Sequence, residues 1–437
     1  MVAPHVLVVG RGDDPIALLW ALRAEATASM LAFHSALSSK RDLSGYERVI
    51  ALRDDASADE WIAMAAAVSH VSPVTRVVAF EDRAVELAAT IAAALDLPGH
   101  DPVTARNVHN KTAFRECLRA AGVQDIPSVV AETPDDIVGF AARHGWPVVV
   151  KPNQGEGSYG VTVVQDAGGA AAAFAHARAS RRQTRGNVLI EAFLSGPQFG
   201  LEIFSEEGER AAVAFSQCFT TWPHRVIVGH VLPPPASPED QAAMVAHTVA
   251  ALDALGVRDG PSHVEVIMTA RGPLLVEAHL RTPGDALPSL VKQVHGIDID
   301  RLWARQLAGE RILPRLRRRL ADPTRHDGAT ALAFATPPPG GTLRGMSGIE
   351  DAWAVPGVVA VTQLLPDGTR IERLTGTEAR AAVVKADRPE PADAVRAAQE
   401  GARRLRFDLE ADQPTTAADR ATRSSRNATV QMGRRSG

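Results

Sequence analysis

The spacing of apolar residues around Glu265 and Glu277 predicts that their two carboxylates lie close together. Two alternating apolar runs flank a short glycine-containing segment, a pattern that predicts a β-hairpin. If the turn is centred on Arg271, Glu265 and Glu277 are cross-strand partners with Cβ atoms about 5 Å apart. Like charges that face each other destabilise a sheet, so a cation is expected between them. A hard divalent ion, Mg²⁺ above all, suits these oxygen ligands.

The strand period of two extends this polar face along the second strand. His279 and Arg281 follow Glu277 at alternate positions and therefore point to the same side. On the hairpin alone, an exposed edge with scattered charges explains these residues as well as a metal site does. The rest of the chain has to decide between the two interpretations.

Two lysines and a glycine-rich loop precede the hairpin. Lys111 stands at the start of a predicted helix, where backbone N–H groups favour an anion; a solvated surface lysine is the other interpretation. Lys151 ends a continuous apolar run, which predicts a buried strand. The next loop, 154–160, contains three glycines and Ser158, so its backbone N–H groups can close over phosphates. A flexible solvent loop would have a similar composition.

The elements that must position these groups alternate in type along the chain. Short apolar runs and helical segments in the first hundred residues predict a small parallel α/β domain, with a helix from Pro15 to Ala26. Gly10-Arg11-Gly12 indicates a plain βα turn, because the third glycine of a dinucleotide motif is missing. The predicted fold class is α/β and α+β. Its parts are a Rossmann-like parallel domain (1–105), a central lobe (106–190), a lobe with the acidic hairpin (191–318), a C-terminal β-rich module (319–408) and a disordered tail (409–437).

Composition restricts the class of protein further. The 437 residues include 45% hydrophobic and 22% charged side chains, typical of a globular protein with two or three domains. A net charge of −4 provides no general attraction for nucleic acid or membrane. The N-terminal apolar run is too short for a signal peptide, and Cys117 and Cys218 form neither a disulfide framework nor zinc spacing. We therefore expect a cytoplasmic protein without nucleic-acid or membrane partners.

The order of these features resembles the ATP-grasp superfamily of carboxylate–amine ligases, over about residues 6–405. The L-amino acid ligase (dipeptide synthetase) branch is the most similar, because H-x-E, V-E-x-x-x-R and G-D recur there. The corresponding segments here are His263-Val-Glu265, Val276-Glu277-Ala-His279-Leu-Arg281 and Gly284-Asp285. The resemblance implies an ATP-grasp fold, with ATP and Mg²⁺ as cofactors.

The resemblance also implies a role for each candidate residue. Lys111 and Lys151 would hold the nucleotide phosphates, and Lys151 and Arg281 would act on the transferring phosphoryl group. The mobile flap would contribute Gly155, Gly157, Ser158, Tyr159 and Gly160. The adenine and ribose contacts would be Glu191, Ala192, Phe193, Leu194 and Gln198. The metal ligands would be Glu265, Glu277 and His279.

Three positions depart from the family pattern. His279 stands where relatives usually carry Asn, and imidazole is a poorer partner for a hard cation, so His279 would ligate weakly, contact a ligand or tolerate Mn²⁺. Gln198 replaces a ribose-binding Glu, and its amide oxygen can still accept hydrogen bonds. The segment 225–230 lacks the carboxylate that many relatives place near a substrate ammonium group. This difference indicates a first substrate other than an ordinary α-amino acid.

The predicted reaction follows from the resemblance. A carboxylate attacks the γ-phosphate of MgATP to give an acyl-phosphate and ADP, and an amine then displaces phosphate to form an amide or peptide bond. Two alternatives remain: a carboxylase that activates bicarbonate, and a catalytically inactive nucleotide-binding regulatory protein. Relatives are often dimers, so a homodimer is one expected state. The candidate substrate contacts are Trp222, His224, His230, Arg281 and Asp285. Core packing would also explain Trp222. The two histidines could equally be surface residues or residues whose hydrogen bonds are satisfied within the protein.

Overall fold

The structure is a computed structural model, and it describes residues 4–10, 26–38, 43–180, 187–322 and 328–411. Helices and strands are numbered within those ranges. The predicted helix from Pro15 to Ala26 lies outside the described residues except for its last position. The predicted disordered tail (409–437) begins too early, because residues 409 and 410 belong to a strand, and its residues from 412 onward lie outside the described residues. No described helix is both long and apolar enough to cross a membrane.

The N-terminal part is a parallel four-stranded sheet with the strand order β3-β2-β1-β4. Every residue of β1 is buried, because both faces of the sheet are covered, as is usual for parallel sheets. The strand β2 was not predicted. The elements are β1 His5–Val9, β2 Thr27–Phe33, β3 Arg48–Leu52, β4 Arg76–Val78, α1 Ala58–Val71, α2 Asp82–Ala94 and α3 Pro102–His109.

The central part is a four-stranded antiparallel sheet with the order β5-β8-β6-β7. Two of its helices, Pro134–His144 and Ala170–Ala179, cover one face, where Ile137 and Phe140 pack on Val148 and Val150. The elements are β5 Ser128–Ala131, β6 Val148–Pro152, β7 Thr162–Val164, β8 Val188–Ala192, α4 Lys111–Ala120, α5 Pro134–His144 and α6 Ala170–Ala179.

An eight-stranded antiparallel sheet forms the largest unit, with the strand order β13-β12-β9-β10-β11-β14-β17-β16. The last three strands of this order are Ala329–Ala335 (β14), Ala382–Arg388 (β17) and Val358–Gln363 (β16). Alternate residues of β9, including Leu201, pack into the core with Met244 of α7. The opposite face carries Glu202, which pairs with His263, and Gly200, which pairs with Glu265. The elements are β9 Gln198–Glu206, β10 Glu209–Thr220, β11 Ile227–Leu232, β12 Gly260–Thr269, β13 Gly272–His279, α7 Pro238–Ala254, α8 Leu287–His295, α9 Ile299–Leu307 and α10 Leu313–Leu320.

The C-terminal segment extends this same sheet. Three of its strands pair with one another and join at β11, so the sheet runs without interruption across residue 319. The remaining two strands form a separate ribbon. The mixture of one parallel and several antiparallel sheets confirms the predicted fold class. The elements are β14 Ala329–Ala335, β15 Thr342–Ser347, β16 Val358–Gln363, β17 Ala382–Arg388, β18 Arg406–Glu410, α11 Ile349–Trp353 and α12 Pro391–Arg404.

Candidate functional site

The hairpin of β12 and β13 brings Glu265 opposite Glu277, in the predicted register. The turn of the hairpin differs from the predicted one. Its last flanking pair is Thr269 with Gly272, so the turn has two residues and is not centred on Arg271. A β-bulge between positions 265 and 266 then shifts the register by one residue. The bulge restores the pairing of the two glutamates.

A cleft between the central sheet and the eight-stranded sheet gathers most of the predicted nucleotide contacts. It lies between the carboxyl ends of β6 and β8, the loop 154–160 and the acidic hairpin. Gly157 and Gly160 belong to the same loop, and both have positive φ, at 66° and 73°. The predicted residues that line the cleft are Lys111, Lys151, Gly155, Ser158, Tyr159, Glu191, Ala192, Phe193, Leu194, Gln198, Glu265 and Glu277.

A buried ion cluster forms one wall of this cleft. The Glu191 carboxylate lies 2.6 Å from Lys151 Nζ, and it accepts hydrogen bonds from Arg115 Nε at 2.9 Å and Nη2 at 3.1 Å. Burial alone would raise the pKa of Glu191, but the two cations outweigh it and lower the pKa to about 2. Burial lowers the pKa of Lys151, and Glu191 only partly opposes this effect. The sequence analysis did not identify Arg115 as a site residue, because the helical pattern around it does not indicate which carboxylate it would pair with.

Lys111 connects the glycine loop to the acidic hairpin. Its Nζ donates to the carbonyl oxygen of Gly155 at 2.9 Å and lies 3.2 Å from Glu277 Oε2. Asn110 caps α4 by accepting from the Ala113 amide, which fixes the first turn from which Lys111 extends. Burial opposes ionisation of Glu277, but Lys111 and His279 hold its pKa well below the ordinary value. The lysine is therefore directed at the cleft and is not a solvated surface residue.

Two of the three predicted metal ligands fit a magnesium ion. Glu265 and Glu277 are opposed carboxylates, and Mg²⁺ is usually held by one or two carboxylates together with phosphate oxygens and water. Within the described ranges, no group of three or more His, Cys, Asp or Glu residues is arranged to hold a metal ion. The phosphates of a nucleotide would have to complete the ligand set. Gln198 Nε2 donates to Glu265 Oε2 at 2.7 Å, and Arg225 Nη2 donates to Gln198 Oε1 at 3.0 Å.

His279 does not fit the third ligand position in this arrangement. Its Nδ1 is 2.9 Å from Asp82 Oδ2, and its Nε2 is 3.2 Å from Glu277 Oε1. Burial favours the neutral ring, but the two carboxylates outweigh burial and raise the pKa of His279 to about 9. Each ring nitrogen is thus directed at a carboxylate oxygen within hydrogen-bond distance, which leaves neither nitrogen directed at a metal site between Glu265 and Glu277. The positive ring instead neutralises the carboxylates beside it.

Asp82 is a functional residue that the sequence analysis missed. It begins α2 of the N-terminal domain, and its Oδ2 accepts from Arg281 Nη2 at 2.6 Å as well as from His279. Arg281 Nη2 also lies 3.4 Å from Glu156 Oε2 in the glycine loop. Burial opposes ionisation of Asp82, but the two cations hold its pKa well below the ordinary value. Ligands of open α/β sheets bind beyond the carboxyl ends of the strands, and the position of Asp82 after β4 is the signal that could have identified it.

Contacts with the C-terminal segment hold the glycine loop over the cleft. The amide of Thr377 donates to the carbonyl oxygen of Gly157 at 3.1 Å, and the amide of Glu378 donates to the Tyr159 hydroxyl at 2.8 Å. Ser158 Oγ donates to the carbonyl oxygen of Arg225 at 2.9 Å. The residues that each of these hydrogen bonds joins are far apart in the sequence, so tertiary contacts hold the loop in place.

A second ion cluster lies beside the loop contacts. Asp285 accepts from Arg380 Nη1 at 2.8 Å and Nη2 at 2.5 Å, and it lies 3.2 Å from His230 Nε2. Burial would raise the pKa of Asp285, but His230 and Arg380 lower it. The Arg380 guanidinium also stacks 3.9 Å from the centre of the Phe334 ring. Arg380 comes from the C-terminal segment and was not predicted.

The predicted substrate residues are not all brought together. His230 and Asp285 are in contact. Arg281 precedes Asp285 by four positions in the sequence. Trp222 lies instead against Phe193 of the cleft, with ring centres 5.7 Å apart, and is 49% exposed, so it is not core packing. His224 Nδ1 lies 3.1 Å from the carbonyl oxygen of Val161, beside β7. Trp222 and His224 are therefore on the predicted adenine side of the site.

Comparisons with known proteins agree with this architecture. Residues 144–288 match the ATP-grasp domain, and residues 333–410 match the L-amino acid ligase C-terminal domain 2. The crystal structure of L-amino acid ligase from Bacillus licheniformis superposes with a TM-score of 0.77 at 19% identity, covering 93% of this chain and 99% of that chain. At that identity the likeness concerns the fold alone.

Two curated relatives are similar over part of their length. The uncharacterized protein y4rH of Sinorhizobium fredii is 30% identical over 280 residues, which are 64% of this chain and 56% of the relative. Dapdiamide A synthase of Enterobacter agglomerans is 29% identical over 244 residues, which are 53% of this chain and 56% of the relative. The chain therefore spans little more than half the length of these relatives. The chain carries an ATP-grasp domain at residues 144–288 and, after it, an L-amino acid ligase C-terminal domain 2 at residues 333–410.

Proposed function

We propose that this protein is an ATP-dependent ligase that activates a carboxylate as an acyl-phosphate and joins it to an amine. The products are an amide or peptide bond, ADP and phosphate. The observation that carries the proposal is the convergence of Lys111, Lys151, Glu265 and Glu277 on one cleft beneath a glycine loop. Phosphoryl transfer needs positioned cations around the phosphates and carboxylates for a divalent ion, and this set provides both.

The two lysines would bind the phosphates, and Glu265 and Glu277 would hold Mg²⁺. When bound there, the ion would neutralise charge on the phosphate oxygens. Both lysines are already held, Lys151 by Glu191 and Lys111 by Glu277 and the Gly155 carbonyl. Their ammonium groups are therefore oriented before a nucleotide enters, which reduces the cost of organising the site.

Arg281 would steady the transferring phosphoryl group and the acyl-phosphate. Its guanidinium is oriented by Asp82 at 2.6 Å and lies near Glu156 of the loop. This places the arginine where the N-terminal domain, the loop and the hairpin meet. An acceptor amine and a carboxylate would approach from the side of Asp285, where the family pattern and the buried ion cluster with His230 coincide.

Closure of the loop would exclude water from the acyl-phosphate. The loop contacts to Thr377 and Glu378 provide the latch, since they connect the loop backbone and the Tyr159 hydroxyl to the C-terminal segment. Water exclusion matters because hydrolysis competes with attack by the amine.

The test is ATP-dependent hydroxamate formation with hydroxylamine across a panel of carboxylic acids, followed by mass spectrometry of products with amines. Hydroxamate from an organic acid together with ADP would support the proposal. ADP release that depends only on bicarbonate would favour the carboxylase instead. No ADP with any partner would contradict the ligase and favour a regulatory protein.

The Glu277→Gln variant tests the metal assignment. The substitution keeps the shape of the side chain and removes one anionic ligand, so ADP formation should fall on the order of 10²-fold or more. Circular dichroism should be unchanged. Glu209→Gln is the matched control, because Glu209 is 63% exposed and pairs with Arg317 on the surface. Near-normal turnover in Glu277→Gln would contradict the assignment.

A further inference from the structure

A cavity separate from the nucleotide cleft lies between α9, α10 and the loop that joins α8 to α9. Its volume is about 330 Å³. None of the residues assigned above to the nucleotide, the metal or the substrate lines it. The proposed reaction therefore gives this cavity no role.

Four arginines line this space, which we call the arginine cavity. Arg301 and Arg305 are four positions apart on α9, and Arg315 and Arg319 are four positions apart on α10. Residues at this spacing lie on the same face of a helix, and two like charges there destabilise the helix. Each helix thus brings an unfavourable pair to the same cavity. The folded chain gains nothing from this concentration of like charge, which indicates a ligand of opposite charge.

The lining does little to neutralise the arginines. Asp298 is the one carboxylate among the described residues that line the cavity. It accepts hydrogen bonds from Lys292 Nζ at 2.9 Å and from the backbone amide of Arg301 at 3.0 Å. A single aspartate that already pairs with a lysine does not balance four guanidinium groups. The electrostatics of the cavity therefore favour an anion over a cation.

Two of the guanidinium groups are held in place. Arg305 Nη1 lies 2.9 Å from Glu310 Oε1, and Arg319 Nη1 lies 2.7 Å from Asp322 Oδ2. Arg319 also lies against the backbone of Gly296, where a Cβ would collide with its guanidinium group. These contacts fix one positive side chain on each helix before a ligand enters.

The other two guanidinium groups are exposed and available to a ligand. In the part of the chain that the structure describes, the side chains of Arg301 and Arg315 form neither a salt bridge nor a hydrogen bond. The inner wall beside them is apolar, because Ile297, Leu302 and Leu316 are buried and line the cavity. A cleft with low-dielectric walls and charges of one sign concentrates ions of the opposite sign.

We propose that the arginine cavity binds a small polyanion that carries at least two phosphate or carboxylate groups. Guanidinium groups bind both kinds of group through paired N–H···O hydrogen bonds. Arg301 would hold one anionic group from α9, and Arg315 would hold the other from α10. The protein as a whole has a net charge of −4, so this positive cavity is a local feature and not part of a generally basic surface.

The test is titration of the full-length protein with pyrophosphate and, separately, with citrate by isothermal calorimetry. We expect saturable binding of at least one of them, and the tighter of the two identifies phosphate or carboxylate as the preferred group. The double variant Arg301→Gln/Arg315→Gln should weaken this binding by about tenfold or more, because both charge-assisted contacts are lost. Its unfolding temperature should not fall, since each helix loses one charge of an unfavourable pair.

The matched control is Arg317→Gln/Arg318→Gln, which removes the same charge from α10. Neither residue lines the cavity, and Arg317 pairs with Glu209 on the surface. The control should keep the affinity of the wild type, because removal of surface charge outside the cavity leaves the two ligand contacts in place.

The Lys111→Met variant separates the arginine cavity from the nucleotide cleft, which pyrophosphate could also enter. Binding at the arginine cavity should persist in this variant. The proposal is overturned if the wild-type protein binds neither anion, if the cavity variant and the control variant bind equally well, or if Lys111→Met alone abolishes binding. These results do not depend on turnover, so the ligase proposal can fail while this one stands.

Discussion

Arg115 provides the sharpest test of the energetics of the cleft. It is 5% exposed and makes four hydrogen bonds: two to the Glu191 carboxylate and one each to the carbonyl oxygens of Leu275 and Val276. It therefore joins α4 to both the central sheet and the acidic hairpin. Arg115→Met removes these bonds and the charge while preserving most of the volume.

The expected cost can be worked from these contacts. Removing one partner of a buried ion pair costs about 3–5 kcal/mol, because the other charge is left uncompensated. Glu191 keeps Lys151 at 2.6 Å, and the carbonyl oxygen of Leu275 keeps Gln124 Nε2 at 3.1 Å, which reduces the loss. The carbonyl oxygen of Val276 loses its Arg115 donor. We therefore expect a loss of about 3 kcal/mol in the free energy of unfolding of the variant.

The measurement is urea denaturation followed by circular dichroism, with comparison of the first unfolding transition. Arg317→Met is the matched control, since Arg317 pairs with Glu209 on the surface where both side chains are more than half exposed. Such a pair contributes less than about 1 kcal/mol. If Arg115→Met costs no more than the control, the buried ion cluster does not contribute as its geometry indicates.

Three further predictions follow from single sites. The pKa of Glu191 is lowered to about 2 in the folded protein. Its ionisation therefore stabilises fully above its ordinary pKa, and the stabilisation is lost as pH falls towards 2. The stability difference between wild type and Glu191→Gln should shrink with a slope that approaches about 1.4 kcal/mol per pH unit midway between these two pKa values. A difference that is flat between pH 5.5 and 3.5 would contradict the ion cluster. Arg380→Met removes two of the hydrogen bonds that partly buried Asp285 accepts, leaving its contact with His230, and it removes the anchor beside the loop contacts. The ratio of ADP to ligated product should therefore rise severalfold through hydrolysis, as measured by coupled ADP assay and mass spectrometry. An unchanged ratio would show that this anchor does not control closure. Gly196→Ala should lower the free energy of unfolding by more than about 3 kcal/mol, because φ of Gly196 is positive and a Cβ would collide with the backbone of the hairpin. Gly272 also has positive φ but has open space around it, so Gly272→Ala should cost about 1 kcal/mol in the same thermal or urea unfolding experiment. Equal effects of the two substitutions would exclude the collision as the cause.

Local patterns predicted several features because they depend only on short spacing. The strand period of two put Glu265 and Glu277 on one face and opposite each other, and the structure confirms that register, although through a two-residue turn and a bulge. The alternation of apolar runs with helical segments likewise predicted the fold class. The strand β2 was missed because Thr27–Phe33 is rich in Ala, Met and Leu, which also suit helices.

The sequence by itself determined which residues share a face within an element. The resemblance to the ATP-grasp superfamily then grouped the lysines, the glycine loop and the acidic hairpin as one predicted chemical set. Only the tertiary structure decided which charges neutralise one another. Asp82, Arg115 and Arg380 come from three separate parts of the chain, and the oppositely charged partners Arg281, Glu191 and Asp285 lie 76 or more positions away from them. Periodicity specifies the direction of a side chain relative to its own helix or strand. The packing of whole domains specifies which side chain from another element lies opposite it. For this reason only the tertiary structure shows that His279 contacts the carboxylates of both Asp82 and Glu277.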